Sequence, residues 1–421
     1  MDNVCAIIYF LIYKSRLLTQ MNRKFDIAFA PLNKRLLHLA FKISRLLIND
    51  GFSVCILNTS FNGKQLSAFN DKDLNNIISN EIPIINVPFT QFKYRAKFFK
   101  NIYRTILTHN RLHSHWIAPY KVLVTFMDDY SIDEVLNIYC KNKGIPTIMI
   151  QEGSEPRRNK YNYSLYDFFS YFRNLIFSKY FNSKAIGLNS DYVAAWSDIN
   201  YQQFIDYGRT PKNTFVVGSP YNLENFEKKT EITNNILILH QTLYHRFSSA
   251  AWNDKLWTNL SIELLKKNYN VIIKPHPRAG SKKEINLFNS IKKKAKAINK
   301  PIQIINKDIL AEELISNADL VVTCNSVGAN NALGNGLPVV YIDTPYSKNK
   351  ALHKLKKSND IILVSDWNEV INKIDHVLNS TSEMEYWRKK GHSSLIKLSG
   401  DPEIFREEWL NLVSRAVNEK K

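Results

Sequence analysis

Residues 270–280 read Asn-Val-Ile-Ile-Lys-Pro-His-Pro-Arg-Ala-Gly, and the rest of the chain is organised around this stretch. The β-branched residues 271–273 predict a buried strand. Pro275 and Pro277 end that strand, because proline cannot donate to a sheet ladder and restricts the backbone before it. His276 is therefore predicted to lie at the C-terminal end of a strand.

The side chains beside His276 favour an anion. In an open parallel sheet, ligands bind at the carboxyl ends of the strands. An imidazole flanked by Lys274 and Arg278 at that edge suits a phosphate. A solvated turn that happens to carry a histidine is the alternative interpretation of this stretch taken alone.

Strand and helix patterns alternate along the chain and predict an α/β fold. The opening unit is a strand at 25–30, a helix at 35–49 that ends before Gly51, and a strand at 53–57. A β-α-β unit of this kind is typical of a Rossmann-like domain. No GxGxxG follows the first strand, which argues against an NAD or FAD site.

The same cycle restarts after a charged stretch near the middle, so we predict two consecutive α/β domains. Further strands are predicted at 82–87, 121–126, 146–150, 192–196, 214–217, 235–239, 302–305, 320–323 and 337–342, and helices at 132–143, 198–207, 254–267, 282–296, 309–316 and 329–334. The predicted divisions are an apolar extension at 1–20, a first domain at 21–221, a linker at 222–234, a second domain at 235–400 and a C-terminal helix at 401–421.

The apolar run within residues 1–20 is too short to span a bilayer, which takes roughly 20 apolar residues. It also lacks the basic region and cleavage site of a signal peptide. An interfacial anchor, a packed helix and an upstream mis-start all fit it.

Composition narrows the function classes. The 421 residues carry a formal net charge of +19, which suits nucleic acid, an anionic membrane surface or an anionic substrate. No nucleic-acid-binding signature accompanies the charge. The four cysteines are scattered, and the ten histidines form no HExxH pattern, so we expect a reducing compartment and no structural zinc.

Three short motifs fall at predicted strand ends and together suggest one site. They are 151–153 (Gln-Glu-Gly), 274–278 around His276, and 325–328 (Asn-Ser-Val-Gly). Ser326 would lie at a helix N-terminus, where unpaired N–H groups and the helix dipole favour an anion, and Gly328 would permit close approach. A plain serine helix cap is the alternative for Ser326.

This arrangement resembles the GT-B glycosyltransferases, and within them the bacterial capsule and lipopolysaccharide enzymes that use CMP-activated acidic sugars, such as polysialyltransferases, sialyltransferases and capsular Kdo transferases. Those families carry a D/E-D/E-G motif, an HP motif and a serine motif in that order. The resemblance implies two Rossmann-like domains facing across a cleft, no cofactor and no metal. Residues 317–340 also resemble the donor-binding segment of GT-B enzymes.

The resemblance also implies roles for individual residues. Glu152 would be the general base on the acceptor hydroxyl, with Asp128 and Asp129 as alternatives because Gln151 stands where the motif has its first acid. His276 and Ser326 would bind the departing phosphate. The remaining donor-binding candidates are Lys274, Pro277, Arg278, Asn325, Val327 and Gly328, and further candidates are Gly153, Gly218, Ser219, His240 and Gln241.

The expected partners are a nucleotide-sugar donor, a glycan or glycolipid acceptor and the inner face of the cytoplasmic membrane, with no nucleic acid. CDP-glycerol or CDP-ribitol polymerases share the Lys-Pro-His-Pro sequence of 274–277 and stay open as an alternative, as do UDP-sugar enzymes. A basic scaffold that binds nucleic acid or a membrane surface is the alternative outside enzymes.

Overall fold

A computed structural model describes residues 24–31, 34–58, 81–87, 116–126, 131–151, 190–206, 208–220, 232–241, 250–276, 279–307, 309–324, 326–343 and 350–419. The extension at 1–20, the linker at 222–231 and the aromatic stretch 156–185 lie outside these residues.

The first half of the chain forms a seven-stranded parallel sheet. Its strands are β1 (Phe25–Ala30), β2 (Val54–Asn58), β3 (Ile84–Asn86), β4 (Tyr120–Thr125), β5 (Thr147–Ile150), β6 (Tyr192–Ala195) and β7 (Thr214–Val216). Its helices are α1 (Lys34–Asn49), α2 (Ser131–Asn142) and α3 (Asp198–Asp206), with a short 3₁₀ helix at Pro211–Asn213. Helix α1 forms because its buried residues, such as Leu36, Ala40, Ile43 and Leu47, recur at helical spacing.

The second half forms a six-stranded parallel sheet. Its strands are β8 (Asn235–Leu239), β9 (Asn270–Lys274), β10 (Gln303–Ile304), β11 (Leu320–Thr323), β12 (Val339–Ile342) and β13 (Ile362–Val364). The helices are α4 (Ala250–Lys266), α5 (Lys282–Ala297), α6 (Glu312–Ile315), α7 (Gly328–Gly334), α8 (Lys350–Lys357), α9 (Trp367–Leu378), α10 (Thr381–Ser399) and α11 (Pro402–Asn418). The near-continuous apolar strands match a sheet covered on both faces.

Each sheet has a point where the strand order reverses. The orders are β3-β2-β1-β4-β5-β6-β7 and β10-β9-β8-β11-β12-β13. The reversal therefore lies between β1 and β4 in the first sheet and between β8 and β11 in the second. Ligands of open α/β sheets bind beyond the carboxyl ends of the strands at such a point.

The α/β prediction is confirmed, and the predicted strands up to Ile342 agree with the structure to within about two residues. Two element predictions need correction. The helix predicted at 309–316 is the single turn α6, and α4 begins four residues earlier than its predicted start at 254. Strand β13 and helices α8 to α10 were not predicted.

The C-terminal helix α11 returns to the first sheet. Phe405, Trp409, Leu412 and Val413 of this helix are buried in the same core as β1 and α1. Its Arg406 also forms an ion pair of 2.6 Å with Asp50, just beyond α1. The last helix therefore stabilises the first domain although it follows the second domain in sequence.

None of the helices in the described residues combines the length and the apolar character that crossing a membrane requires.

Candidate functional site

Three candidate residues follow three adjacent strands of the second sheet. His276 comes two residues after β9, His240 directly after β8, and Ser326 three residues after β11. Strand β8 lies between the other two, and the order reverses between β8 and β11. The fold thus brings His240, His276 and Ser326 to one sheet edge at the expected ligand position.

Lys274 stabilises the turn after β9 through hydrogen bonds from its buried side chain. This side chain is only 4% exposed, and its ammonium group donates hydrogen bonds to the carbonyl oxygens of Pro275 at 2.7 Å and Lys307 at 2.9 Å. The turn itself is closed by a hydrogen bond of 2.7 Å from the Ala279 amide to the His276 carbonyl. Lys274 therefore supports the backbone that presents His276 and adds a positive charge beneath it.

Helix α5 fixes the other end of this turn. Ser281 and Glu284 form a capping box, in which each side chain accepts a hydrogen bond from the other residue's backbone amide. Glu284 is fully buried and also accepts from the Gly280 amide at 2.9 Å. The loop that carries His276 is thus tied down at both ends.

His240 is a buried imidazole at the same edge. It is 2% exposed, and its ring lies edge-on to Trp257 and Phe288 with centroid distances of 5.4 and 5.1 Å. Neither ring nitrogen has a hydrogen-bond partner among the described residues. Burial, and secondarily the charge of nearby His276, lowers the pKa of His240 to about 3, so this ring is neutral at ordinary pH.

Ser326 begins the segment that leads into α7. Its hydroxyl oxygen accepts a hydrogen bond of 3.2 Å from the Gly328 amide, which leaves the hydroxyl proton available to a ligand. Gly328 has a packing role, because a Cβ there would lie 3.0 Å from Leu239 Cδ1 and 3.2 Å from the Ala311 Cβ. Val327 precedes the helix in a helical conformation.

The first sheet contributes two neighbouring strand ends. Strands β4 and β5 pair directly, so their carboxyl ends, at Thr125 and Ile150, lie side by side. In sequence, Asp128 and Asp129 follow β4, and Glu152 follows β5. Those three acids, with Gly153, Pro277, Arg278 and Asn325, lie outside the described residues. Gln151 is 2% exposed, and its side-chain oxygen accepts a hydrogen bond of 3.1 Å from the Trp196 amide. The Gln151 side chain therefore links the end of β5 to Trp196, the residue that follows β6.

Two of the other candidates lie elsewhere. Gly218 and Ser219 lie where the two domains meet, and the Ser219 amide donates to the Ser399 carbonyl at 2.5 Å. Gln241 is half-buried and directly follows His240.

Asn330 and Asn331 were not predicted as site residues from the sequence. Both are buried in α7, where Asn331 donates to Glu312 at 2.6 Å and the Asn330 amide nitrogen has no partner among the described residues. Two asparagines in a helix otherwise made of small apolar residues are an available signal, because buried amides are normally paired. Asp343, which follows β12 at the same edge, lies 3.0 Å from the His353 imidazole.

No group of three or more His, Cys, Asp or Glu side chains that could hold a metal ion occurs within the described part of the chain.

Comparison with known proteins identifies the family. The model of the Alpha-2,8-polysialyltransferase family matches residues 49–327, which is more than half of the chain. The matched stretch includes Glu152, His276 and Ser326. The chain belongs to the alpha-2,8-polysialyltransferase family. It is therefore a glycosyltransferase, as the resemblance predicted. No curated protein sequence matches it.

Solved structures show the same fold at low sequence identity. A glycosyltransferase from Rickettsia africae is 12% identical with a TM-score of 0.57, over 94% of this chain and 99% of that one. UDP-GlcNAc 2-epimerase from Neisseria meningitidis, bound to UDP-GlcNAc, is 14% identical with a TM-score of 0.57, over 91% and 99%. Anabaena HepE in complex with UDP-glucose is 12% identical with a TM-score of 0.57, over 93% and 100%. These likenesses confirm the predicted GT-B fold.

Proposed function

We propose that this polysialyltransferase family member transfers an acidic sugar of the sialic acid or Kdo type from a CMP-activated donor to a cell-surface polysaccharide or lipopolysaccharide. The transfer inverts the anomeric centre and uses no metal. One observation carries the proposal: a family match that spans all three motifs, in a chain whose second sheet brings His276 and Ser326 to the same edge.

The acceptor side of the reaction is assigned to a carboxylate of the first domain. Glu152 takes the proton of the acceptor hydroxyl while that oxygen forms a bond to the anomeric carbon, on the face opposite the leaving phosphate. Asp128 and Asp129, which follow the neighbouring strand β4, are the alternative bases.

The donor side is assigned to the edge of the second sheet. As the bond from the anomeric carbon to the phosphate oxygen breaks, negative charge grows on CMP. His276 and the Ser326 hydroxyl donate hydrogen bonds to that phosphate, and Lys274 contributes its charge from beneath the turn. Groups already held by surrounding hydrogen bonds stabilise this charge without reorganising.

The proposed acceptor is anchored to an anionic cell surface, and the protein acts at the inner face of the cytoplasmic membrane. The net charge of +19 supports a peripheral association. Each suitably placed lysine or arginine contributes about 1 kcal/mol to binding an anionic bilayer, and salt weakens this attraction.

A UDP-sugar or CDP-alditol donor is the second candidate. The names of two solved relatives include UDP-sugars, which favours UDP among the alternatives. The fold is common to all of these donors, so the nucleotide must be determined by binding.

The test is a thermal-shift panel with CMP, CDP, UMP, UDP and GDP on the wild-type protein and on the His276→Ala variant. A ligand at 100 times its Kd stabilises the protein by about 2.7 kcal/mol, which is measurable as a higher Tm. We expect a shift selective for CMP in the wild type that is reduced in His276→Ala. The matched control is His392→Ala, which removes an exposed histidine from α10 and should keep the full shift.

Activity is then measured with a CMP-sialic acid donor and a sialylated oligosaccharide acceptor. Removing one hydrogen-bond donor that faces developing negative charge lowers kcat about 10²- to 10³-fold. His276→Ala should therefore lower kcat by this factor and raise the KM for the CMP-sugar. A shift selective for UDP or CDP would reassign the donor, and an unchanged rate in His276→Ala would remove that residue from the site.

A further inference from the structure

Helix α5 leads away from the candidate donor site and presents one exposed polar stripe along its length. The stripe repeats at intervals of four and three residues, which places its members on one face of a helix. All five of its members are exposed: Lys282, Asn286, Asn289, Lys293 and Lys296. We call these five residues the lysine stripe.

The opposite face of α5 is buried against the sheet through Leu287, Ile291 and Ala295. The acidic residue of the helix, Glu284, is buried in the capping box and does not offset the lysines outside. Exposed Lys283, Lys292 and Lys294 flank the stripe. The outward surface of α5 is therefore positively charged at both ends, and the residues exposed between them, Ile285, Asn286, Asn289 and Ser290, are uncharged.

The stripe begins at the rim of the candidate site. Lys282 is the first residue of α5 and lies inside the capping box that closes the His276 turn. The ammonium of exposed Lys307 lies 3.9 Å from the position of a Cβ on Gly280, at the same rim. From there the 16-residue helix extends for about 24 Å.

The far end of the stripe adjoins a concave surface. A depression of about 330 Å³ is lined by Lys292, Lys296, Asn299 and Lys300. Lys300 donates to Asn268 at 2.6 Å and is held in place. The stripe thus ends at a shallow basic hollow.

Helix stability accounts for only one lysine of the stripe. Cations in the last turn of a helix complement the dipole, which fits Lys296 but not Lys293. Lys282 lies in the first turn, where the dipole disfavours a cation. None of the five stripe side chains has an ion-pair or hydrogen-bond partner within the described ranges.

We propose that the lysine stripe binds the growing acidic glycan, so that the polymer runs along α5 away from the donor site. This inference rests on the proposed function. A polymer of sialic acid carries one carboxylate on each sugar, which complements spaced ammonium groups, and its hydroxyl and amide groups suit Asn286 and Asn289. A membrane-binding helix face would carry several large apolar residues among the lysines, whereas the outward surface of α5 exposes one, Ile285, which is 50% exposed.

Binding is tested first, and it needs no catalysis. The probe is α-2,8-linked polysialic acid of long and short chain length, measured at low and physiological salt. The stripe variant is Lys282→Gln with Lys293→Gln and Lys296→Gln. The matched control is Lys354→Gln with Lys356→Gln and Lys357→Gln, which removes the same charge from exposed positions on α8.

We expect the stripe variant to bind long chains about tenfold more weakly, a loss of about 1.4 kcal/mol, because three exposed charge pairs are removed together and each is weak by itself. Its salt dependence should also be shallower, and short chains should be affected little. The α8 variant should bind like the wild type. Equal weakening in both variants, or none in the stripe variant, would overturn the proposal.

Activity supplies the second measurement. The stripe variant should keep the wild-type rate on a short acceptor and make shorter products on a long one. A wild-type protein that transfers no sialic acid would refute the proposed function while leaving the binding result to be judged by itself. If the stripe variant no longer bound anionic phospholipid vesicles but still bound the polymer like the wild type, the stripe would be a membrane-binding surface and the proposal would be overturned.

Discussion

Gly218 and Gly400 meet backbone to backbone where the two domains join, and a Cβ on Gly400 would lie 2.6 Å from the Gly218 Cα atom. The same Cβ would collide with the Trp196 carbonyl oxygen. Both glycines have positive φ angles, +82° at Gly218 and +77° at Gly400. Here the chain leaves the first domain and later returns to it through α11, so the crossing needs glycine for both space and conformation.

Replacing Gly400 by alanine should therefore destabilise the fold strongly. Its φ of 77° and ψ of 167° are accessible essentially to glycine alone, at a cost of about 1–3 kcal/mol for another residue. Overpacking adds about 1–3 kcal/mol. Urea denaturation measures the total loss in the free energy of unfolding.

The matched control for this change is Gly208→Ala. Gly208 has a φ of +99° and nothing within 4 Å of a Cβ, so this variant has the backbone cost without the collision. Equal losses of stability in the two variants would show that the close contact at Gly400 carries no energetic weight.

His240 should make the protein sensitive to acid. Burial lowers the pKa of His240 to about 3, whereas the unfolded chain takes up this proton near 6.5. The stabilisation is therefore complete above about pH 6.5 and is lost as the pH falls toward 3. His240→Leu removes this proton uptake, so its stability should fall less steeply over that window, by up to about 1.4 kcal/mol per pH unit.

Urea denaturation at pH 4.5, 5.5, 6.5 and 7.5 measures the difference. The control is His392→Leu, which removes an exposed histidine from α10 and should keep the wild-type slope. Parallel curves for the wild type and His240→Leu would show that the buried ring does not resist protonation.

Changing Glu152 to glutamine should stop transfer and spare donor binding. General-base catalysis contributes about 10²- to 10⁴-fold, and the amide has no basic oxygen for the acceptor proton. The CMP thermal shift should stay at its wild-type value, because the proposed donor-binding residues lie in the other domain. Asp128→Asn and Asp129→Asn are the comparison variants, and a larger loss of rate in either one would move the base to that residue.

The local pattern of apolar residues was sufficient to predict most strands of both sheets. Apolar β-branched runs such as Val271 to Ile273 form buried parallel strands because every side chain there leaves water on one face or the other. The order of the three motifs was also readable from the sequence, and the family match spans all of them.

The local sequence pattern failed to predict elements that depend on tertiary packing. Helix α10 contains Gly391, which disfavours a helix by itself. A Cβ there would lie 3.3 Å from Leu333 Cδ2, so the glycine permits close packing between α10 and α7. Strand β13 has three residues and gave no periodicity to detect.

The sequence by itself determined the local elements, the α/β class and which side chains stand at strand ends, because these follow from the periodicity of neighbouring residues. Only the tertiary structure decided that β8 lies between β9 and β11, that the His240 ring is buried against Trp257 and Phe288, and that α11 completes the first core. Each of these depends on contacts between residues far apart in the chain, and the energy of such contacts comes from burial and charge that no local stretch specifies.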